Sequence, residues 1–256
     1  MENNSDKKEE LKLIQQAREI IQYGGGVVFT GAGISVESGI PPFRGPTGLW
    51  SRYNPEILDI TFFRKQPEVS WKYIKEIFYD HFQQVEPNYA HRWVAKLEQS
   101  QKIFGVITQN IDNLHQRAGS RAVVEFHGTA YRLVCLDCTR PYDLEEVSLE
   151  KLPPICPKCG GVLKPDFVFF GESIPPASFR QALNWVEKCN FLLIIGTSGE
   201  ILPAGRLPFW AKENGASIIE INIQPSTYTS TITDIFLNYR ATKGAQLLAG
   251  EPFRKK

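Results

Sequence analysis

Four cysteines fall in two Cys-x-x-Cys pairs, Cys135/Cys138 and Cys156/Cys159, with seventeen residues between the pairs. Two such knuckles can close a tetrahedral four-thiolate shell around zinc. A closed shell leaves no open position, so that metal would be structural. Gly160-Gly161 suits the tight turn after the second pair. The alternative is two disulfides or loose thiols. Cys189 stands alone at the end of a predicted helix and reads as a buried, inert thiol.

A second group could hold phosphate and sugar. The apolar run Val27-Val28-Phe29-Thr30 is short enough to be a buried strand and leads into Gly31-Ala32-Gly33-Ile34-Ser35. Glycines there let backbone approach a pyrophosphate, and N–H groups at a following helix start attract its charge. The dehydrogenase pattern G-x-G-x-x-G fails, because Val36 occupies the third glycine position. A tight turn with no ligand is the plain alternative. Pro41-Pro42-Phe43-Arg44-Gly45 then supplies a restrained loop, an apolar ring and a guanidinium that matches phosphate. Gln109-Asn110-Ile111-Asp112 follows another short apolar run, where Asn110 and Asp112 could either cap the next helix or meet a ligand. Of four histidines, His81, His91 and His115 show no partner pattern and read as structural. His127 ends a strand and is followed by Gly128; its ring could take a proton from a hydroxyl near neutral pH.

The elements that must position these residues alternate. Leu11, Ile14, Ala17 and Ile21 have helical period and predict a first helix over about 6–23. Strands are predicted around 27–30, 103–108, 123–126, 191–195 and 218–223, with helical spacers such as 177–188 and 203–214. Strands alternating with helices predict a parallel, doubly wound sheet. Residues 50–99 are crowded with aromatics and lack clear strands, so they read as a helical module whose rings mostly pack. Gly196-Thr197-Ser198 is a second small-residue turn, and a further strand ends beside Asn222.

Composition narrows the classes. The chain has 256 residues, 42% hydrophobic and 22% charged, ordinary for a globular protein. A formal net charge of +1 gives no global field toward nucleic acid or an anionic membrane. No apolar run approaches the ~20 residues of a membrane span. The polar start, Met1 to Glu10, is not a secretory signal, and paired cysteines suit a reducing, cytoplasmic setting.

Gly31–Gly45 resembles the NAD-binding loop of the sirtuins, the NAD-dependent protein-lysine deacylases. Gln109-Asn110-Ile111-Asp112, His127-Gly128, the paired cysteines, Phe170-Gly171-Glu172 and Gly196-Thr197-Ser198 follow in that family's order. The resemblance runs from about Gly24 to Ala241. It implies a Rossmann-like sheet (1–49, 100–130 and 166–256) and a smaller domain made of the helical module (50–99) and a zinc ribbon (131–165).

It also implies roles. NAD would be held by Gly31, Ala32, Gly33, Ser35, Phe43, Arg44, Gln109, Asn110, Ile111, Asp112, Gly196, Thr197, Ser198, Asn222 and Ala241. Among these, Asp112 and the Ile111 backbone would hold the nicotinamide amide, and Phe43 would cover the reacting sugar. His127 would be the catalytic base, with Asn110 ordering the ribose, and Val168, Phe170 and Gly171 would flank an acyl-lysine peptide. The acyl oxygen would attack the anomeric carbon as nicotinamide leaves. A ribose hydroxyl, helped by His127, would then attack the imidate, releasing amine and O-acyl-ADP-ribose. An NAD glycohydrolase or ADP-ribosyltransferase on the same fold is the alternative, with a redox dehydrogenase or a zinc-ribbon binding module further off.

The family's desuccinylases carry Trp-x-x-Tyr-x-x-Arg on a helix after the nucleotide loop. Aligned on Trp71, Ile74 and Ile77 take the Tyr and Arg places; a shift of one offers Tyr73 but puts Glu76 where the base belongs. Ile74 and Ile77 are therefore expected to present an apolar wall that favours neutral acyl chains over succinyl. Pro42 and the Gly199-Glu200 pair depart from the family pattern, the first toward a stiffer loop and the second toward a different peptide preference.

Overall fold

The computed structural model describes residues 4–43, 45, 48–80 and 85–250, with backbone alone for 4–6. In chain order the principal elements are α1 (Asn4–Tyr23), β1 (Gly26–Thr30), α2 (Ile60–Lys65), α3 (Pro67–Ile74), α4 (Tyr89–Gln99), β2 (Ile103–Thr108), α5 (Leu114–Arg117), β3 (Val123–Glu125), β4 (Gly128–Cys135), β5 (Pro141–Asp143), β6 (Leu163–Phe167), α6 (Pro176–Val186), β7 (Phe191–Ile195), α7 (Leu207–Glu213), β8 (Ser217–Asn222), β9 (Ile235–Asn238) and α8 (Ala241–Ala249).

Six strands form one all-parallel sheet in the order β3-β2-β1-β7-β8-β9. This is the doubly wound, Rossmann-like order, which reverses direction between β1 and β7. Side chains alternate across it. Val28, Val106, Leu193 and Ile219 pack one face against α1, α4 and α8, while Val27, Phe29, Ile107 and Leu192 pack the other against α6 and α7. Both faces are covered, which explains why β1 and β7 are buried along their whole length.

A second core differs in kind. Phe63, Trp71, Phe78 and Tyr79 from the helical stretch interlock with Leu133, Leu163, Phe167 and Phe169 around an antiparallel sheet in the order β5-β4-β6. The Trp71 indole N–H donates to Leu163 O at 2.8 Å, and the Tyr79 hydroxyl donates to Ala130 O at 2.9 Å. The aromatic stretch and the cysteine-bearing segment thus share one hydrophobic core. The aromatics do pack, but not all with one another: Trp93 on α4 packs on the large sheet with Ala90, Val94 and Leu97. The structure also adds β9, which the sequence reading did not anticipate. Among the described residues, no helix is long and apolar enough to cross a membrane.

At the β1/β7 reversal two turns meet backbone to backbone. Gly31 N–H donates to Ile195 O at 3.1 Å and Gly33 N–H to Gly196 O at 2.8 Å. A Cβ on Gly33 would lie 2.6 Å from Gly196 Cα, and one on Gly196 would lie 2.5 Å from Ile34 N. These neighbours are main chain and cannot rotate away. Gly33→Ala is expected to cost about 1–3 kcal/mol, as overpacking does, and to weaken NAD binding. Urea unfolding and NAD titration check it; wild-type values for both would refute the close-contact argument.

Candidate active site

The strand ends of the large sheet bring the predicted residues together. Gln109 N–H bonds Thr30 O at 3.0 Å, and its side-chain amide donates to Thr197 Oγ1 at 2.9 Å, joining the β2 end to the β7 turn. Asn222 Nδ2 donates to Thr197 O at 2.9 Å, bringing the β8 end to the same place. Ser198 lies exposed beside it. Ala241 opens α8, whose Thr242 N–H is held by Glu37 Oε2 at 2.8 Å, just after the Gly31–Ser35 turn. Phe43 contacts Trp50 (centroids 5.6 Å), and Trp50 contacts Phe170 (6.3 Å), so an aromatic path links the nucleotide loop to the 168–171 segment. Arg44 and His81 lie outside the described residues.

Beneath this rim is a directed chain of buried hydrogen bonds. His91 Nδ1 accepts from Asn88 N–H at 3.4 Å, so its proton is on Nε2, which points at Ser35 Oγ 3.4 Å away. Ser35 Oγ also accepts from Asn110 Nδ2 at 3.1 Å and donates its own proton to Asp112 Oδ2 at 2.7 Å. Asp112 Oδ1 takes Leu114 N–H at 3.0 Å. Asn110 further donates to Gly31 O at 3.2 Å. Burial raises the Asp112 carboxyl above its ordinary value, and the donors from Ser35, Leu114 and Asn110 pull it back. A buried acceptor of this kind is suited to an amide N–H.

The histidines that sequence reasoning set aside belong to this layer. His115 Nε2 lies 3.0 Å from Thr30 Oγ1, whose hydroxyl is already given to Thr108 at 2.9 Å, so His115 Nε2 must be the donor. Its Nδ1 has no hydrogen-bond partner among the described residues. The His91 and His115 rings lie 5.0 Å apart, edge to face. Burial pushes His91 down to about 2, with His115 and Arg92 further discouraging its charge, and burial pushes His115 down to about 3. Both are neutral fixtures of the floor.

His127 sits at the rim. Its Nδ1 lies 3.1 Å from Gln109 O, an atom that can only accept, so Nδ1 carries the proton and Nε2 is left as a base. Burial lowers its pKa below 6.5, partly offset by the Gln109 bond. The glycine after it is required by geometry. Gly128 has φ +76°, and a Cβ there would lie 2.2 Å from Asp166 O on β6. The backbone of Val168 is tied to the base by Val168 N–H to His127 O at 2.8 Å. Gly171 turns at φ +86° just beyond the exposed Phe170.

Ile74 and Ile77 depart from expectation. They are 0% and 1% exposed, buried inside the aromatic core with Trp71 and Phe78, and present no wall to a substrate. The cause is tertiary: the face they share is covered by Leu133, Leu163 and Phe167 of the small sheet. Tyr53 and Glu76 face outward instead, joined by a 2.7 Å hydrogen bond from the Tyr53 hydroxyl.

The four cysteine sulfurs lie within 4.8 Å of one another, with Cys135–Cys159 at 3.4 Å and Cys138–Cys156 at 3.8 Å. Zinc–sulfur bonds of ~2.3 Å in a tetrahedron place sulfurs roughly 3.8 Å apart, so the donor set fits zinc. A disulfide would need sulfurs at about 2 Å, and all five cysteines are free. Cys189 is buried, and burial pushes its thiol up to about 12, as an inert thiol should be.

The comparisons with known proteins follow this geometry. The Sir2 family model matches residues 31–203. The chain belongs to the Sir2 family. A Pyrobaculum aerophilum relative named NAD-dependent protein deacylase 2 is 46% identical over 90% of this chain and 91% of its own. An Aeropyrum pernix NAD-dependent protein deacylase is 43% identical over 92% of this chain and 95% of its own. A Sir2 structure solved with a deacetylated p53 peptide and 3′-O-acetyl-ADP-ribose has a TM-score of 0.87 and 33% identity, covering 93% of this chain and 97% of that one. As a Sir2 enzyme the protein is an NAD-dependent protein deacylase.

For a base that works only when neutral, the rate falls as pH drops through its pKa. Because burial lowers His127, the acid limb of kcat/KM is expected below pH 6.5. His127→Ala should lower deacylation by ~100- to 10,000-fold while NAD binding and thermal melting persist. Joint loss of NAD binding and melting would show a structural role instead. For the metal, elemental analysis is expected to give one zinc per chain, and Cys156→Ala to lower the melting temperature. Active protein without stoichiometric zinc would contradict this.

Proposed function

We propose that the protein removes neutral acyl groups from lysine side chains of peptides or proteins, consuming NAD and releasing nicotinamide and O-acyl-ADP-ribose. The observation that carries this is the fixed tautomer of His127: Nδ1–H is spent on Gln109 O, and Nε2 is free to accept a hydroxyl proton. NAD would supply the electrophilic anomeric carbon, giving up nicotinamide and carrying the acyl group away as O-acyl-ADP-ribose. The chain's residues do the rest. Asn110, Ser35 and Asp112 offer a preset hydrogen-bond group for the ribose and amide side, and Phe43 and Trp50 offer apolar cover that excludes water. The 168–170 backbone, bonded to His127 O and Leu58 O ahead of the turn at Gly171, supports an acyl-lysine peptide added beside it.

The acyl preference rests on Glu76. Hydrogen-bonded to Tyr53, it puts an acid on the outward side of the aromatic helices, the side where a desuccinylase would need a base. A succinyl carboxylate near it would be repelled and unpaired. Cysteines that form no disulfide support a reducing, cytoplasmic setting.

Mass spectrometry of products from NAD and one peptide carrying acetyl, butyryl, hexanoyl or succinyl lysine tests both parts. Nicotinamide and O-acyl-ADP-ribose are expected in equal amounts, with kcat/KM for succinyl about tenfold or more below acetyl, the size of one unmade buried hydrogen bond. Free ADP-ribose without deacylated peptide would overturn the reaction; succinyl as the best of the four would overturn the role given to Glu76.

A further inference from the structure

Lys164 is buried, 4% exposed, yet it lies neither in the sulfur cluster nor in the hydrogen-bond chain below the nucleotide loop. A buried ammonium is costly unless every proton is used. Here every one is. Lys164 Nζ donates to Pro165 O at 2.8 Å and to Phe167 O at 2.7 Å, and it pairs with Glu172 Oε2 at 3.0 Å. It also sits 4.0 Å from the centroid of the Phe169 ring. Glu172 Oε2 in turn accepts Phe169 N–H at 2.8 Å, while Glu172 N–H closes on Phe169 O at 3.0 Å. Burial lowers the ammonium and Glu172 raises it again, so the charged form is held by its partner.

The points these two side chains grip are not scattered. They are the backbone on either side of Val168, whose own N–H holds His127 O at 2.8 Å. Two residues on, Phe170 is tied to the aromatic helical part by Phe170 N–H to Leu58 O at 2.8 Å and Ile60 N–H to Phe170 O at 3.0 Å. One residue later the chain turns at Gly171, φ +86°. A segment carrying a 47% exposed phenylalanine at its tip is thereby held at its start by a lysine and at its end by a glutamate, bound to each other across its root.

We infer that Lys164 and Glu172 are a positioning pair that pre-forms the 168–171 segment for the acyl-lysine peptide and sets its distance from His127. The inference rests on the reading that this segment takes the peptide. The pair touches no reacting atom. It lowers the ordering cost of peptide binding by holding the strand in its bound shape before the peptide arrives. Among the described residues, Lys164 and Glu172 make no hydrogen bond to β1, β2, β7 or β8, which build the nucleotide side of the site.

The test is steady-state kinetics with an acetyl-lysine peptide, varying peptide and NAD separately, plus calorimetric titration of the peptide. Glu172→Gln keeps an oxygen for Phe169 N–H but removes the charge; Lys164→Met removes the ammonium; Lys164→Arg restores a cation. Glu172→Gln and Lys164→Met are each expected to raise the peptide KM and Kd about tenfold, with the NAD KM within twofold of wild type and a cooperative melt. Lys164→Arg should recover most of the loss, and the double variant should lose no more than either single one, as for two groups acting as a unit. Phe170→Ala separates the two readings. If it raises the peptide KM while folded Glu172→Gln does not, the pair is not a positioning device. If Phe170→Ala also leaves the peptide KM unchanged, the segment does not take the peptide and both readings fall. Equal rises in both KM values in Glu172→Gln would show a general structural role and overturn the inference. Should Lys164→Met fail to fold, Glu172→Gln and Lys164→Arg still decide the matter.

Discussion

The structure depends on two strand ends meeting with no side chain between them. At the point where the sheet reverses direction, the Gly31–Gly33 turn after β1 lies directly on Gly196 after β7, bonded main chain to main chain. Any Cβ there would have to displace backbone. The consequence reaches beyond the turn. Gln109 bonds Thr30 O and Thr197 Oγ1, and Asn222 bonds Thr197 O, so the ends of β2 and β8 are also placed relative to that contact. A parallel sheet opens its ligand crevice at such a reversal because the flanking crossovers go to opposite faces. The glycines keep that crevice shallow enough for backbone to line it.

The floor of the crevice is polar, buried and almost fully satisfied, which is what permits a carboxylate to sit in it. Asp112 receives protons from Ser35 and Leu114, and Ser35 is held by Asn110 and faces the His91 Nε2–H. Neutral His91 and His115 can serve there because burial suppresses their charge. Protonating either would place a cation in a low-dielectric layer. His127 differs by its place at the rim, where burial is incomplete and one ring nitrogen stays free. Three similar side chains, His91, His115 and His127, thus divide into roles by solvation.

The smaller part of the molecule answers a different problem. The cysteine-bearing segment is too short to enclose its apolar side chains by itself, and the aromatic helices have no sheet of their own. Each covers the other: Trp71 and Tyr79 bond to Leu163 O and Ala130 O, and Cys135 and Cys156 are themselves inside the shared core. The metal shell and the aromatic core therefore stabilise one unit, and β4 and β6 within it carry the residues on either side of His127 and Val168.

Much of this was legible in the sequence because its signals are local. Short apolar runs gave β1, β2, β7 and β8; the paired cysteines gave a cluster that fits zinc; His127-Gly128 gave a histidine on a constrained strand end. Each rests on chemistry within a few residues. What tertiary structure alone decided depends on segments far apart in the chain. His91 and His115 look like lone residues until α4 and α5 bring them 5.0 Å apart under Ser35 and Thr30. Ile74 and Ile77 fit an apolar wall on a helix, but the small sheet packs over the face they share. Lys164 and Glu172 are unremarkable charges in sequence, and become a matched pair only because Phe167 and Phe169 fold over the ammonium and exclude water from it. Side-chain type and spacing are written in the chain, whereas solvation is set by what packs on top, and it is solvation that assigns charge, tautomer and access.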